Sequence, residues 1–124
     1  MLLVEDQPGV RKFAKRLLES QGCAVLEAEN GAEALLAAES HQGEIHLLLT
    51  DVILPGLNGK EVLERLRIVR PGLTAVFMSG YTDDIIAPHG VLEPGVVYLA
   101  KPFTPAALAA KLTEALARKQ EHPE

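Results

Sequence analysis

Glu5, Asp6 and Asp51 bring three carboxylates, Ser79 a hydroxyl and Lys101 an amine, and each lies at the end of a short apolar run of the chain. Carboxylates gathered in one place repel one another and resist ionisation unless a cation neutralises them. An all-oxygen set selects a hard divalent ion, and an incomplete one, with room for waters and phosphate oxygens, suits magnesium. Such an ion can withdraw charge from an incoming phosphoryl group and hold it in line with an oxygen of Asp51. Lys101, a point charge on a flexible stem, can neutralise a phosphate oxygen or, with no phosphate present, pair with Asp51. Gly80 removes a side chain where a phosphate must approach the backbone. Taken singly, a carboxylate in such a place is commonly a helix cap or a solvated loop residue. The joint occurrence in this order is much harder to explain that way.

Residues so far apart in sequence meet only if regular elements carry them to one place. Short apolar strand candidates alternate with amphipathic helix candidates along the whole chain. Strands are expected over 2–5, 24–28, 45–50, 73–78 and 96–100. The run 45–50 has the near-continuous apolar pattern of a central parallel strand. Helices are expected over 8–21, 32–40, 60–69 and 105 to about 119. Their inward stripes are Val10, Phe13, Ala14, Leu17 and Leu18; then Ala34, Leu35 and Ala38; then Val62, Leu63, Leu66 and Val69; and last Leu108, Leu112, Ala115 and Leu116. Pro8 and Pro105 suit first helical turns, Asn30 is a candidate cap, and Gly22 stands where a helix C-terminal glycine belongs. Residues 54–59 form a loop dense in turn formers. In the stretch 81–95, Pro88, Gly90, Pro94 and Gly95 leave room only for a short helix around 83–87.

Five βα units with no repeat and no linker imply one α/β domain over 1–119, with 120–124 as a frayed polar tail. The expected architecture is a doubly wound, five-stranded parallel sheet with helices on both faces. Ligands of such sheets bind beyond the carboxyl ends of the strands. Glu5-Asp6, Asp51, Ser79-Gly80 and Lys101-Pro102 fall at four of those ends.

A formal net charge of −5 over 124 residues argues against a surface for nucleic acid. Apolar runs stop far short of membrane-spanning length, so no membrane contact by this domain is expected. No cationic, apolar leader opens the sequence, and the single cysteine, Cys23, cannot make an internal disulfide. Cys23 reads as a small buried hydrophobe, and a reducing cytoplasm is the expected location.

The ordered set Glu5-Asp6, Thr50-Asp51, Leu54-Pro55-Gly56-Leu57-Asn58-Gly59, Ser79-Gly80 and Lys101-Pro102-Phe103 resembles the receiver domain of bacterial response regulators, over essentially the whole chain. The resemblance implies a CheY-like, flavodoxin-like fold in which Asp51 accepts a phosphoryl group with Mg2+ as cofactor. The donor would be a phosphohistidine on a histidine kinase or histidine phosphotransfer domain. Asp6 and Asp51 would be direct metal ligands, the backbone carbonyl of Ile53 the third, and Glu5 would act through water. Ser79 would bond the phosphoryl group, Lys101 would form an ion pair with it, and Tyr98 would be an aromatic switch. The Lys101–Pro102 peptide is expected to be cis. The signal would leave through the face formed by residues 81–95, the fifth strand and the last helix. Two features depart from the commoner pattern: the acidic pair is Glu-Asp rather than Asp-Asp, and the fourth helix is expected to be short or irregular. The run Phe77-Met78-Ser79-Gly80-Tyr81-Thr82-Asp83-Asp84, with His89-Gly90 after it, resembles receivers attached to hybrid sensor histidine kinases.

Other readings compete. Haloacid-dehalogenase-like phosphohydrolases place a second aspartate two residues after the nucleophile, and Ile53 stands there. A serine hydrolase would need a glycine two residues before Ser79, and there is no lysine-bearing phosphate loop. A degenerate module would have lost the acceptor, the lysine or the acidic pair, and all are present. His41, His46, His89 and His122 share no metal-ligand spacing and read as surface or loop residues. Tyr98 has a plain alternative as a half-buried strand aromatic.

Overall fold

The computed structural model describes residues 1–52, 54, 56–79, 96–101 and 103–121, with backbone alone for 79, 96 and 118–121. Ile53, Gly80, the stretch 81–95 with its expected helix, the Lys101–Pro102 peptide, His89 and His122 therefore lie outside the described residues.

The strand β3 (Leu47–Asp51) is buried along its whole length, as a central strand with helices on both faces must be. On one side it pairs with β1 (Leu2–Val4), which pairs in turn with β2 (Leu26–Ala28). On the other side it pairs with β4 (Thr74–Ser79), and β4 with β5 (Val96–Ala100). All pairs are parallel and the order is β2-β1-β3-β4-β5, the expected doubly wound sheet. The strand order reverses between β1 and β3, and such a reversal opens a crevice at the carboxyl edge.

Side chains alternate across the strands and build two cores. Leu2, Val4 and Leu48 join Ala34, Ala38, Val62, Leu63 and Leu66 of α2 (Gly31–Ser40) and α3 (Gly59–Val69). Leu3, Leu47 and Leu49 join Ala14 and Leu18 of α1 (Pro8–Ser20) and Leu108, Leu112 and Ala115 of α4 (Pro105–Glu121). Asn30 caps α2 as expected, accepting the Glu33 N–H at 2.9 Å. Gly22, with φ of 89°, turns the chain after α1, and the Cys23 N–H returns to the Leu18 carbonyl at 3.0 Å.

Some expected positions shift. Glu5 lies outside β1, β2 loses residues 24 and 25, β3 starts at Leu47, and α4 continues to Glu121, past the expected end at 119. Phe13 is 47% exposed, its ring 5.9 Å from Phe103 rather than sunk in the core. Val69, at 63% exposure, is the last residue of α3 and lies past the final buried contact at Leu66. Leu116 is also exposed because it borders an open groove with Met1 and Val25. Cys23 is half-buried, packed against the α1/α4 core. Arg70, just after α3, donates to the carbonyls of Gly43 (2.9 Å), Ala38 (3.0 Å) and His41 (3.1 Å), fastening the end of α2 and the chain beyond it.

Candidate functional site

The parallel register explains how four distant segments meet. Val4 lies beside Thr50, Asp51 beside Met78, and Ser79 beside Ala100. Pairing persists one residue past the strands: Glu5 N–H donates to the Ala28 carbonyl at 3.1 Å, and Val52 N–H to the Met78 carbonyl at 3.0 Å. Glu5, Asp51, Ser79 and Lys101 consequently sit on one edge of the sheet, at the crevice between β1 and β3.

Asp51 is 5% exposed and Glu5 is completely buried. Lys101 Nζ donates to Glu5 Oε1 at 2.9 Å and forms an ion pair with Asp51 Oδ1. Glu5 Oε2 accepts the Gln7 N–H at 3.1 Å. Arg11 donates to the Glu5 backbone carbonyl at 2.7 Å, and its guanidinium also reaches Glu27 at 3.4 Å. Asp6, by contrast, is exposed. Ligand oxygens of Glu5, Asp6 and Asp51 all lie within 4.8 Å of one another.

This crowding splits the titrations. Burial, aided by the adjoining Glu5 carboxyl, pushes Asp51 up to about 7, although Lys101 pulls the other way. Burial also acts upward on Glu5, but hydrogen bonds from Asp51, Lys101 and the Gln7 N–H outweigh it and hold that carboxyl below its ordinary range. Burial would lower Lys101, yet its bonds to Asp51 and Glu5 raise it. Near neutrality Glu5 and Lys101 therefore carry their charges while Asp51 is still titrating. An all-oxygen acidic set that cannot ionise fully by itself fits a hard divalent cation.

The wall opposite is the start of α3. Asn58 accepts the Glu61 N–H at 2.8 Å while Glu61 accepts the Asn58 N–H at 3.0 Å, a reciprocal cap. Gly59 donates its N–H to the Val52 carbonyl at 2.8 Å. A Cβ on Gly59 would lie 2.2 Å from the Asp51 carbonyl oxygen, so only glycine permits the helix to start there.

The structure thus brings together Glu5, Asp6, Asp51 and Lys101. It places the Ser79 backbone at the neighbouring end of β4. Tyr98 lies further back in β5, half-buried, its ring edge-on to Phe77 at 5.8 Å. His46 lies away from this site, 3.4 Å from Glu44, and His41 lines the groove with it. Sequence reasoning took Gly59 as a turn residue and part of the loop motif after Asp51, without assigning it a packing role, and gave Arg11 no place at the site. For Gly59 a signal was present, since it follows a capping asparagine and precedes Glu61 by two residues.

Residues 1–113 match the response regulator receiver domain family. Sensor kinase CckA of Brucella abortus (strain 2308) is 36% identical over 119 residues, covering 96% of this chain and 13% of that protein. The crystal structure of the receiver domain from hybrid histidine kinase CckA is 37% identical, with a TM-score of 0.77 over 93% of this chain and 96% of that one. A response regulator receiver domain protein from Clostridium thermocellum is 27% identical, with a TM-score of 0.80 over 97% and 95%. The chain spans 13%, 32% and 53% of the lengths of three curated relatives it matches. From its motifs, its sheet order and these likenesses, the chain belongs to the response regulator receiver domain family, the phosphoacceptor domain of two-component signalling systems.

Proposed function

We propose that Asp51 is the phosphoacceptor and that the donor is a phosphohistidine on a histidine kinase or histidine phosphotransfer domain. A carboxylate oxygen of Asp51 attacks phosphorus, the P–N bond breaks, and its electron pair leaves on the imidazole nitrogen. The observation that carries this reading is the Lys101 ammonium paired with a buried Asp51 at the crevice between β1 and β3.

Each residue has a part in that reading. Asp6 and Asp51 would hold Mg2+, with the Ile53 carbonyl added by the resemblance. The cation would favour the ionised form of Asp51 and neutralise charge on the transferring group. Glu5 stands beside them with both carboxylate oxygens engaged by protein groups. Lys101 leaves Asp51 for a phosphoryl oxygen, exchanging one anion for another. Ser79 bonds the phosphoryl group, and Tyr98, half-buried against Phe77, turns inward as the Ser79 loop moves toward Asp51. The face of residues 81–95, β5 and α4 then carries the signal to a partner. The domain is regulatory and turns over no small phosphomonoester, and its place is the cytoplasm. Among the described residues no helix is long and apolar enough to cross a membrane.

Incubation with acetyl phosphate and Mg2+ should add one phosphoryl group, read by intact mass. Asp51→Asn should abolish the gain, as should chelation of Mg2+ before the donor is added. Full labelling of Asp51→Asn would refute the assignment.

A further inference from the structure

The helices α2 and α3 open on the same pattern, Asn30-Gly31-Ala32-Glu33 and Asn58-Gly59-Lys60-Glu61. In both, the asparagine side chain accepts the glutamate N–H, and the glutamate side chain accepts a backbone N–H in return. In both, the glycine is the buried first residue of the helix. Gly59 presses on the Asp51 carbonyl at one end of the loop 52–59, and Gly31 meets the same loop at Leu57. A Cβ on Gly31 would lie 2.9 Å from Leu57 Cβ, 3.0 Å from Leu57 Cδ1 and 2.9 Å from Val62 Cγ2. We infer that Gly31, which lies outside the crevice, is a positioning residue for phosphoryl transfer: its bare α-carbon is the seat of Leu57, and that seat holds the loop that follows Asp51. The inference rests on Asp51 being the acceptor.

Backbone conformation gives no reason for a glycine at 31. Its φ is not positive, and alanine is the better helix former. The reason is space, and a methyl group there would force one of three neighbours to move. The helix α2 cannot withdraw, because Ala34 and Ala38 are buried against the sheet and Arg70 holds the Ala38 carbonyl at 3.0 Å. Val62 is fully buried among Leu63 and Leu66, and a β-branched side chain has few rotamers to escape into. The loop is left to yield: Leu57 is only half-buried, and Gly56 and Asn58 beside it are exposed. Its ends are tied, Val52 N–H to the Met78 carbonyl and Gly59 N–H to the Val52 carbonyl. A displaced Leu57 therefore strains the bond at Gly59, two residues away and directly behind Asp51. In the reading above this loop also adds Ile53 to the cation's ligands, so the displacement reaches the cation as well as the acceptor. Phosphoryl transfer depends on position, and small misplacements from remote changes are felt in its rate.

Seating and plain stability can be separated with Gly31→Ala and Ala38→Gly, the second loosening the far end of the same helix without touching the loop. Leu57→Ala empties the seat from the loop's side and serves if Gly31→Ala fails to fold. In the metal-free, unphosphorylated protein, exchange of the Gly59 amide is followed by NMR. It should quicken about tenfold in Gly31→Ala and in Leu57→Ala, the scale of one weakened hydrogen bond, beyond any change in Ala38→Gly. Calorimetric titration should show Mg2+ affinity about tenfold weaker in the same two variants, the low end for groups that orient metal ligands. Phosphorylation by acetyl phosphate at saturating Mg2+ should slow as well, and stay at the wild-type rate in Ala38→Gly. Adding Val62→Ala to Gly31→Ala makes room on the side of α3, so both effects should return to within about twofold of Val62→Ala alone, the scatter of independent changes. Gly59 exchange and Mg2+ affinity in Gly31→Ala no different from those of Ala38→Gly would overturn the inference, because Gly31 would then serve the helix alone. Effects that persist undiminished beside Val62→Ala would overturn it too. Failure of wild-type phosphorylation would instead strike the acceptor assignment, while Gly59 exchange would still report on the seat.

Discussion

The two edges of the sheet both collect titratable side chains, and among the described residues the carboxyl edge draws them into a buried, mutually bonded cluster while the amino edge leaves them apart. At the carboxyl edge, Glu5, Asp51 and Lys101 come from three segments and bind one another, the two carboxylates buried and the ammonium partly so. At the amino edge, Cys23, His41, Glu44 and His46 line an open groove, and His46 lies 3.4 Å from Glu44, two residues away, with both side chains mostly exposed. A charge in water is already satisfied and exerts little pull on its neighbour. A buried carboxyl must find a cation or keep its proton, and that unmet demand is what a metal ion or a phosphoryl group can answer. Proximity in sequence supplies the first kind of pair, and sheet register supplies the second.

Three measurements test this contrast. The largest effect should come from Gly59→Ala, which forces a methyl group against the Asp51 carbonyl at the carboxyl edge. Backbone cannot yield as a side-chain tip can, so destabilisation of about 3 kcal/mol is expected, the upper end for overpacking. Chemical denaturation would read it, and an unchanged midpoint would show that the start of α3 is not held against β3.

The next effect concerns pH in the metal-free protein. Folding raises Asp51 to about 7, whereas the unfolded chain titrates near the ordinary aspartate value of about 3.9. The folded state therefore holds more protons between these values, and stability should fall as pH rises from about 4 to about 7, then level. Glu5 acts oppositely: its lowered titration stabilises the fold above the ordinary carboxylate range, and that contribution disappears only in stronger acid. Asp51→Asn should flatten the decline in a series of thermal melts. A decline that persists in this variant would place the burden elsewhere.

The smallest effect should come from the other edge. His46→Ala removes an exposed partner of an exposed glutamate, so stability should move by less than about 0.5 kcal/mol and phosphorylation not at all. A larger change would mean that the amino-edge groove is more than a surface feature.

Much of this was legible from residue types alone. Alternating apolar runs and helical stripes gave nine of the elements within a few residues, and the placement of reactive side chains at strand ends pointed to the carboxyl edge. Periodicity assigns a helix face but cannot say where the sheet beneath it stops, which is why Val69 and Leu116 were expected inside and lie outside. Nor does it separate Glu5 from Asp6. The first is drawn under the crevice by Gln7 and Lys101 while the second faces outward, and both bonds depend on the folded register. The need for glycine at 59 is likewise a distance between two ends of a loop, invisible until α3 is set against β3.

The guanidinium of Arg70 has a consequence for how the protein opens. By donating to three carbonyls along 38–43 it joins the end of α3 to the end of α2 and to the chain that leads into β3. Neither helix can peel from the sheet without breaking the other's terminus, so their amides share one opening event and exchange hydrogen together. A lysine, with one compact ammonium in place of a planar fork, would divide that unit in two.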